Sequence, residues 1–356
     1  MIHNEKETGS TKHLNLSEEK FTSLKLMWLE ILPKLREHPS NDLSLNDGSG
    51  LGSVEKAFWQ IILFDHPDNV MLRFLRARNF DVQKSSDMLL KALEWRLDED
   101  VENIIEKGEA SLNQKLLQDG LAHFRGRDSY GRPLCMAYVH NWYPKAQSLT
   151  EFKRFMIWTL ETGRLLIDDE KDGKMSAIID TSGFSMGKVD FAAAHFLVNC
   201  MEAYYPECLG NLYIVDAPWI FSGFWKMISP LLDPVIKSKI VFCKRKELCG
   251  HIDPEQIMDS LGGNDPYKYH YIPPTSEELK STRTASSTEK QKAQQAFWKA
   301  AKTFAQITEA WANDPTAFEQ ERQEAAKQLK SVSHELQPFV RASTFYHRIG
   351  EIPEYK

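Results

Sequence analysis

The hydrophobic positions in the first third of the chain recur at helical spacing. After Ser17, a suitable N-cap, they return every three or four residues: Phe21, Leu24, Trp28, Ile31, Leu32 and Leu35. This spacing predicts an amphipathic helix over 17–37. Residues 39–53, rich in Ser, Asn, Asp and Gly, predict a linker. The helical spacing resumes over 54–98, where Asp81 is placed to cap a helix, and this predicts a small helical module.

The middle of the chain carries short apolar runs of strand length, which lie at 133–139, 175–180, 211–216 and 239–243. A helical pattern over 190–205 separates the second run from the third, so this part predicts a βαβ unit with parallel strands and a right-handed crossover. Two further helical patterns follow a polar Ser/Thr stretch after residue 276. Together these patterns predict an α/β fold with helical parts on both sides in sequence.

The segment 218–232 is apolar around most of its circumference when it is placed on a helix. Its bulky residues are Trp219, Phe221, Phe224, Trp225, Met227, Ile228, Leu231 and Leu232. A helix that is apolar all round has to be covered on all sides. One interpretation is a fully buried helix. The other is a lid with an apolar ligand beneath it and, transiently, a membrane above it, with Gly223 and the surrounding prolines as bend points.

Charge and composition narrow the classes of function. The 356 residues include 44 Lys+Arg against 50 Asp+Glu, and the net charge of −6 gives no support for nucleic-acid binding. A local basic cluster follows the apolar segment and suits an anionic headgroup or lipid surface: Lys237, Lys239, Lys244, Arg245 and Lys246. The five cysteines lack zinc-ligand spacing, so we expect reduced thiols, no metal site and no cofactor.

The same composition bears on membranes and compartment. The longest stretch without Asp, Glu, Lys or Arg is Pro133–Pro144. A spanning helix needs about 20 apolar residues, so no transmembrane helix is expected. The first residues are polar and lack an apolar core, which predicts no secretory signal and a cytoplasmic protein.

A hydrolase motif offers an alternative function. Gly183–Gly187 fits the G-x-S-x-G pattern around Ser185, between a predicted strand and a predicted helix. Candidate partners in hydrolase order are Asp216 or Asp233 and His251 or His270. However, two residues separate the strand from Gly183, whereas a nucleophile elbow turns directly off its strand, and no HGG-type oxyanion loop lies upstream. A βα turn is therefore favoured over a serine esterase.

Six segments carry a family resemblance in a fixed order. They are DNVMLRFLRARNFDV at 68–82, DSYGRP at 128–133, YYPECLG at 204–210, DAPW at 216–219, LDPV at 232–235 and LGG at 261–263. With them the chain resembles the fungal phosphatidylinositol-transfer proteins of the CRAL-TRIO lipid-binding superfamily. The segment FVRASTFY at 339–346 resembles the end of a subgroup with an extended carboxy-terminal helical region.

The resemblance implies a fold and a domain order. An all-helical amino-terminal module stands beside an α/β domain whose mostly parallel sheet floors an apolar lipid cavity, and a gating helix at 219–232 closes that cavity. The expected parts are an amino-terminal helix and linker (1–53), the helical module (54–108), the lipid-binding domain (109–275) and a carboxy-terminal helical extension (276–356). We expect the extension to pack on the core, with a partner-binding appendage as the alternative.

The family's inositol-phosphate site maps by motif onto Arg78, Glu207 and Lys239. Lys239 would neutralise the phosphodiester, Glu207 would accept hydrogen bonds from ring hydroxyls, and Arg78 would brace the site or bond the phosphate. Two structural alternatives stay open: Glu207 could cap a helix, and Arg78 could pair with Asp81. The family's threonine in this site is Ile236 here, which removes one hydroxyl contact.

A second departure concerns the other ligand. Family members that also carry phosphatidylcholine use a Ser/Thr pair on the strand that enters the Asp180 turn, and these positions are Met175 and Ala177 here. The second ligand is therefore expected to be an apolar lipid such as a sterol or a squalene-like molecule.

The function that the resemblance implies is lipid transfer without catalysis. The protein would extract phosphatidylinositol and a second lipid from membranes and exchange them between membranes, touching the endoplasmic reticulum, endosomes or lipid droplets peripherally and transiently. An alternative is a lipid sensor that presents phosphatidylinositol to lipid kinases, because a sensor needs the same cavity.

Overall fold

The computed structural model describes residues 16–37, 49–63, 65–167, 172–279 and 287–353. Most of the predicted linker at 39–53 and residues 280–286 of the predicted Ser/Thr stretch therefore lie outside the described residues. The chain divides into two compact units, each made of two chain segments. The first comprises 1–98 with 285–337, and the second comprises 99–284 with 338–356. The domain boundaries expected from the sequence stay a prediction.

The first unit is helical. Its helices are α1 (Glu18–Glu37), α2 (Ser53–Ile62), α3 (Pro67–Ala77), α4 (Val82–Asp98), and the long helices Ser287–Asn313 and Pro315–Val340, the last belonging to this unit up to residue 337. The predicted helix over 17–37 is confirmed, and all six of its periodic apolar residues are buried. Ser17 Oγ accepts from Lys20 N and Asp81 Oδ1 accepts from Lys84 N, so both residues act as the predicted caps.

A buried ion pair lies in the core of this unit. Asp68, on α3, accepts from Arg322 Nη1 at 2.9 Å and from Trp28 Nε1 at 2.8 Å. Arg322 lies on the helix Pro315–Val340, and its guanidinium also packs over the ring of Trp311 at 4.0 Å. These contacts agree with the expectation that carboxy-terminal helices pack on the core.

The second unit is built on a five-stranded sheet. Its strands are β1 (Ala122–Arg127), β2 (Pro133–Tyr138), β3 (Met175–Asp180), β4 (Leu209–Val215) and β5 (Ile240–Cys243), which lie in the order β1-β2-β3-β4-β5. Strand β1 pairs antiparallel with β2, and all other pairs are parallel. The four strands predicted from apolar runs are confirmed, and β1 is an addition.

The turn between β1 and β2 explains why the DSYGRP segment has its composition. Asp128 Oδ1 accepts from the backbone N–H groups of Tyr130 and Arg132 at 2.9 and 3.0 Å, and Gly131 takes a φ of +75°. An Asx-type turn with a left-handed glycine closes the hairpin. The register shifts between Phe124 and Arg127, next to Gly126, where a Cβ would lie 2.3 Å from a neighbouring backbone oxygen.

The helices of the second unit follow in chain order: α5 (Val101–Lys107), α6 (Gln114–Gln118), α7 (Leu149–Leu166), α8 (Phe191–Asn199), α9 (Phe221–Ile228), α10 (Pro234–Ser238), α11 (Arg245–Leu248) and the short helix Phe345–Arg348. The helix predicted over 190–205 is α8 continued by a π-helical turn at Cys200–Tyr204. The helix predicted over 219–232 is shorter than expected. Helix α9 ends at Ile228 and passes into a 3₁₀ turn at Ser229–Leu231 because Pro230 has no N–H to continue the ladder.

The two faces of the sheet serve different purposes. Alternate residues of the strands, among them Met136, Ile178 and Tyr213, pack into a closed core with Leu248, Ile252, Ile257 and Leu261. The residues between them, among them Ala137, Ile179 and Ile214, point to the opposite face and line a cavity.

Candidate functional site

A cavity lies on the second face of the sheet, and its wall is almost entirely apolar. The sheet contributes Ala137, Ile179, Leu209, Leu212, Ile214 and Ile240, α7 contributes Phe152 and Met156, and α8 contributes Ala193, Ala194, Leu197 and Val198. The remaining side is closed by Phe221, Phe224, Trp225, Ile228 and Leu232 of the 218–232 segment. A lining of this kind removes hydrocarbon from water and offers little to a polar ligand.

Most polar side chains in the wall are already engaged within the protein, whereas Trp142 Nε1 is buried there without a hydrogen-bond partner among the described residues. The Thr181 hydroxyl donates to Val215 O at 2.6 Å, and Asp190 caps α8 by accepting from Ala193 N at 2.9 Å. The Lys188 ammonium donates to two backbone carbonyls, including His140 O at 2.9 Å, and burial lowers the pKa of this lysine. The cavity interior therefore presents hydrocarbon surface.

The 218–232 segment has one face in the cavity wall and one face in solvent. Phe221 and Ile228 are buried, whereas Trp219 is 86% exposed and Met227 and Leu231 are also exposed. The interpretation of a fully buried helix is therefore wrong. The inner face is held by ring contacts, of which Phe221 with Phe184 has a centroid distance of 5.1 Å.

Two exposed aromatic rings on neighbouring elements contact half-buried rings of this segment. Phe191 of α8 contacts Phe224 at 5.5 Å between ring centroids, and Phe242 of β5 contacts Trp225 at 5.0 Å. We use the name outer apolar surface for the exposed residues Phe191, Trp219, Met227, Leu231, Val235 and Phe242. A group of large apolar side chains left in water marks an interaction surface more often than chance exposure does.

Charged residues meet at the amino-terminal ends of the parallel strands. Lys239 directly precedes β5, Lys174 directly precedes β3, and Glu207 lies two residues before β4. Lys174 Nζ is 3.4 Å and Lys239 Nζ is 3.9 Å from the same Glu207 Oε2. Leu209 and Ile240, which line the cavity, follow Glu207 and Lys239 within two residues, so the charged group stands next to the cavity wall.

The structure brings two of the three predicted headgroup residues together. Glu207 lies in the turn before β4 with a φ of +58°, and because a strand follows, Glu207 does not cap the start of a helix. The pKa of Lys239 is lowered, because burial disfavours its charge and the neighbouring Lys174 and Arg132 repel it, while Glu207 opposes the shift.

Arg78, the third predicted headgroup residue, belongs to the first unit, at the end of α3. Its Nη1 donates to Ala77 O at 2.8 Å, and Asp81 pairs with Lys84 at 2.9 Å. The alternative that Arg78 is merely the partner of Asp81 is therefore not supported, and its role at the headgroup stays a prediction.

The structure also shows where the residues that depart from the family pattern lie. Ile236, in α10, lines the cavity. Met175 and Ala177 share their face of β3 with the cavity residue Ile179 by strand alternation, and Met175 is buried. A Cβ added to Gly163 of α7 would lie 2.9 Å from Met175 Cε, so the methionine packs tightly against that helix. Their part in ligand choice stays a prediction.

The hydrolase alternative finds little support in the geometry. Ser185 has an extended backbone, with φ −147° and ψ 168°, where a nucleophile elbow is strained. Asp216 accepts from Arg245, and the ring of His251 contacts Tyr213. Across the part of the chain that the structure describes, no hydrogen bond joins the Ser185 hydroxyl to a histidine.

Sequence reasoning missed Lys174, although a signal was available. Lys174 directly precedes the strand predicted at 175–180, and Lys239 is the first residue of the strand predicted at 239–243. Parallel strands bring such positions to the same edge of a sheet. Phe191 and Phe242 were missed because their exposure depends on packing and not on spacing.

The described residues contain neither a candidate metal cluster nor a candidate membrane-spanning helix. Within the described ranges, no group of three or more His, Cys, Asp or Glu could hold a metal ion. No helix among the described residues is long and apolar enough to cross a membrane.

Comparisons with known proteins agree with this architecture. The family model of the CRAL/TRIO domain matches residues 117–263, and that of the CRAL/TRIO N-terminal domain matches residues 16–91. Phosphatidylinositol transfer protein CSR1 of Eremothecium gossypii is 35% identical over 317 residues, which cover 84% of this chain and 72% of that protein. CRAL-TRIO domain-containing protein C3H8.02 of Schizosaccharomyces pombe is 31% identical over 308 residues, which cover 83% of this chain and 68% of that protein.

A structural comparison supports the same fold. The crystal structure of Sfh5 is similar with a TM-score of 0.51 at 16% sequence identity, covering 76% of this chain and 91% of that chain. At this identity the likeness concerns the fold alone. Because both family models match in order and the relatives are similar over most of their own length, the chain belongs to the CRAL-TRIO family.

Proposed function

We propose that the protein binds phosphatidylinositol and carries it between membranes without making or breaking a bond. One observation carries the proposal: an apolar cavity with few polar side chains in its wall stands directly beside Glu207 and two lysines. A phospholipid has the same division into hydrocarbon and charged headgroup. The similarity to a phosphatidylinositol transfer protein over most of both chains adds support.

The headgroup would lie at the amino-terminal ends of β4 and β5. Lys239 would pair with the phosphodiester as a point charge, and Glu207 would accept hydrogen bonds from inositol hydroxyls. The headgroup role that the family motif implies for Arg78 stays a prediction. Ile236 contributes apolar surface in place of a hydroxyl, so the lysines would bear more of the interaction with the phosphate.

The 218–232 segment would act as the gate. A diacyl lipid carries on the order of 30 methylenes, and each contributes roughly 0.8 kcal/mol when it leaves water. Unaided passage through water would therefore cost more than about 20 kcal/mol, and the cavity must be open at the membrane and closed away from it. The outer apolar surface, with Trp219 at its most exposed point, would insert shallowly into the interface while the inner face exchanges lipids.

We propose an apolar lipid, such as a sterol or a squalene-like molecule, as the second ligand. Met175 and Ala177 offer no side-chain hydrogen bond, and the engaged hydroxyl of Thr181 offers little more. A phosphocholine group inside this cavity would lose its hydration without a replacement, which is costly. The protein would work peripherally on membranes and need neither metal nor cofactor.

Mass spectrometry of the lipids that the purified protein retains after incubation with cell membranes tests these proposals directly. We expect phosphatidylinositol at up to one molecule per chain, together with an apolar lipid. Absence of phosphatidylinositol would contradict the main proposal. Phosphatidylcholine at a stoichiometric level would instead contradict the choice of second ligand and leave phosphatidylinositol binding standing.

A further inference from the structure

Lys174 belongs to the same charged group as Lys239, although the family motif does not point to it. We infer that Lys174 is a second phosphate-contacting residue of the headgroup site, an assignment that rests on the proposed function. Its ammonium lies 3.4 Å from Glu207 Oε2, closer than that of Lys239. The side chains of Lys174, Lys239 and Glu207 are 25%, 16% and 19% exposed, so all three are held in a partly desolvated place.

The order of the strands explains why two lysines converge on one carboxylate. Strand β4 lies between β3 and β5, so Glu207, ahead of β4, stands between Lys174, ahead of β3, and Lys239, ahead of β5. Neighbouring strands are about 4.8 Å apart, so the two lysines start roughly 10 Å from each other and reach inward to the same oxygen.

The other charged groups nearby are already paired among themselves. Arg132 Nε donates to Asp172 Oδ2 at 2.7 Å, and Arg132 Nη1 lies 3.6 Å from Asp128 Oδ2. Asp128 is further held by the Ser176 hydroxyl at 2.7 Å, and Asp172 Oδ1 accepts from the backbone N–H of Lys174. Arg132 is therefore fixed as a structural cation by two carboxylates, whereas the two lysine ammonium groups share the single carboxylate of Glu207.

Two ammonium groups that share one carboxylate oxygen leave positive charge without a close partner. Neither distance to Glu207 is that of a charge-assisted hydrogen bond, which is about 2.7–2.9 Å between nitrogen and oxygen. A phosphodiester oxygen placed between Lys174 and Lys239 would accept from both and would free Glu207 for the inositol hydroxyls. In this arrangement Glu207 holds the lysines in position until the lipid arrives, and Lys174 supplies the contact that Ile236 cannot make.

The test compares initial rates of phosphatidylinositol transfer between donor and acceptor vesicles for four proteins. Lys174→Met removes the charge at similar length, Lys174→Arg keeps it, and Lys115→Met removes an exposed lysine of α6 that pairs with Asp119. We expect Lys174→Met to lower the transfer rate about tenfold, because one charge-assisted hydrogen bond to the phosphate is lost. Lys174→Arg should retain at least about half of the rate, and Lys115→Met should equal the wild type.

Thermal unfolding of each protein accompanies the transfer assay. A Lys174→Met rate equal to the wild-type rate would overturn the assignment and leave the proposed function standing. Equal losses in Lys174→Met and Lys174→Arg, with a lowered unfolding temperature, would mean a structural role and would also overturn it. A wild-type protein that transfers no phosphatidylinositol would overturn the proposed function and the assignment together.

Discussion

Lys239 Nζ lies 3.9 Å from Glu207 Oε2, where the amino-terminal ends of two neighbouring parallel strands meet the wall of an apolar cavity. The pair combines a cation for a phosphate with an acceptor for hydroxyls. Both groups stand at strand ends, where a backbone held by the sheet fixes the start of each side chain. The separation is longer than a hydrogen bond, so the pair adds little to the stability of the fold.

Removal of this pair should abolish transfer and spare the fold. We expect Lys239→Ala with Glu207→Ala to lower phosphatidylinositol transfer about a hundredfold, since two charge-assisted contacts of about tenfold each are lost. Circular dichroism and the unfolding temperature should stay close to the wild type. The matched control is Lys115→Ala with Asp119→Ala, which removes an ion pair of 2.7 Å at the end of α6. Unchanged transfer in the first variant would count against the headgroup site.

The protonation of Lys239 gives a second prediction. Burial, with repulsion from Lys174 and Arg132, lowers the pKa of Lys239 below its ordinary 10.5, and Glu207 partly offsets this. We expect Glu207→Gln to lower this pKa further and bound phosphatidylinositol to raise it. NMR of isotopically labelled lysines, with the Lys239 signal assigned through Lys239→Met, measures the shift. A pKa at or above 10.5 in the lipid-free protein would contradict it.

The direction of the accompanying pH dependence follows from linkage. Between the folded and unfolded pKa values of Lys239, the unfolded chain holds the proton that the folded chain has released. The contribution of this group to the free energy of unfolding therefore rises with pH through that window. Transfer should change in the opposite direction, because the ammonium that binds the phosphate is lost as the pH rises. Lys239→Met should remove this component from both pH profiles.

The outer apolar surface gives a third prediction. Trp219 is 86% exposed, so Trp219→Ala should leave the unfolding temperature nearly unchanged. Vesicle association should weaken about tenfold or more, because one large side chain that enters the interface contributes roughly 1.5–3 kcal/mol. Sedimentation with vesicles measures this. Leu97→Ala, at an exposed leucine of α4, is the control and should bind vesicles as the wild type does. Equal binding by all three proteins would exclude Trp219 from the docking face.

Periodicity predicted those elements that bury a regular face. Helix α1 was found because its apolar residues recur with the helical period, and the parallel strands were found because they form short apolar runs. Strand β1 was not found, because His123, Arg125 and Arg127 leave it without an apolar run and it carries a bulge beside Gly126. Its place depends on distant partners, such as the Tyr346 hydroxyl that accepts from Phe124 N.

The site could be predicted only in part. The family motifs identified Glu207 and Lys239. The position of Lys174 just before a predicted strand would also have placed it at this edge of the sheet. The outer face of the 218–232 segment could not be separated from its inner face by composition, because Trp219 and Phe221 are equally apolar in sequence. Phe221 is buried because Phe184 and Phe242 pack around it, and this packing cannot be read from the sequence.

The geometry around Ser185 gives a fourth prediction. Its extended backbone and its exposed position in the βα turn leave it without the features of an activated nucleophile. We expect no covalent labelling by a fluorophosphonate probe and unchanged lipid transfer in Ser185→Ala. Labelling of the wild type that disappears in Ser185→Ala would revive the esterase alternative.

The buried pair in the first unit gives the last prediction. Burial raises the pKa of Asp68, but Arg322 outweighs it and holds that pKa well below the ordinary 3.8. Arg322→Met should leave a buried carboxylate without its cation and lower the free energy of unfolding by about 3–5 kcal/mol at neutral pH. In the wild type, the stability from Asp68 is present above pH 3.8 and is lost as the pH falls toward the folded pKa.

In Arg322→Met, the contribution of Asp68 to stability should change with pH in the opposite direction near acid pH. Without Arg322, burial should outweigh the hydrogen bond from Trp28 and the charge of His66 and raise the pKa of Asp68 above its unfolded value. Protonation would then stabilise the fold as the pH falls. Adding Asp68→Asn to Arg322→Met should recover part of the lost stability, because a neutral amide costs less to bury than an unpaired carboxylate. Chemical denaturation at several pH values measures both effects. A loss that is independent of pH, with no recovery in the double variant, would show that Arg322 acts through its packing on Trp311 instead.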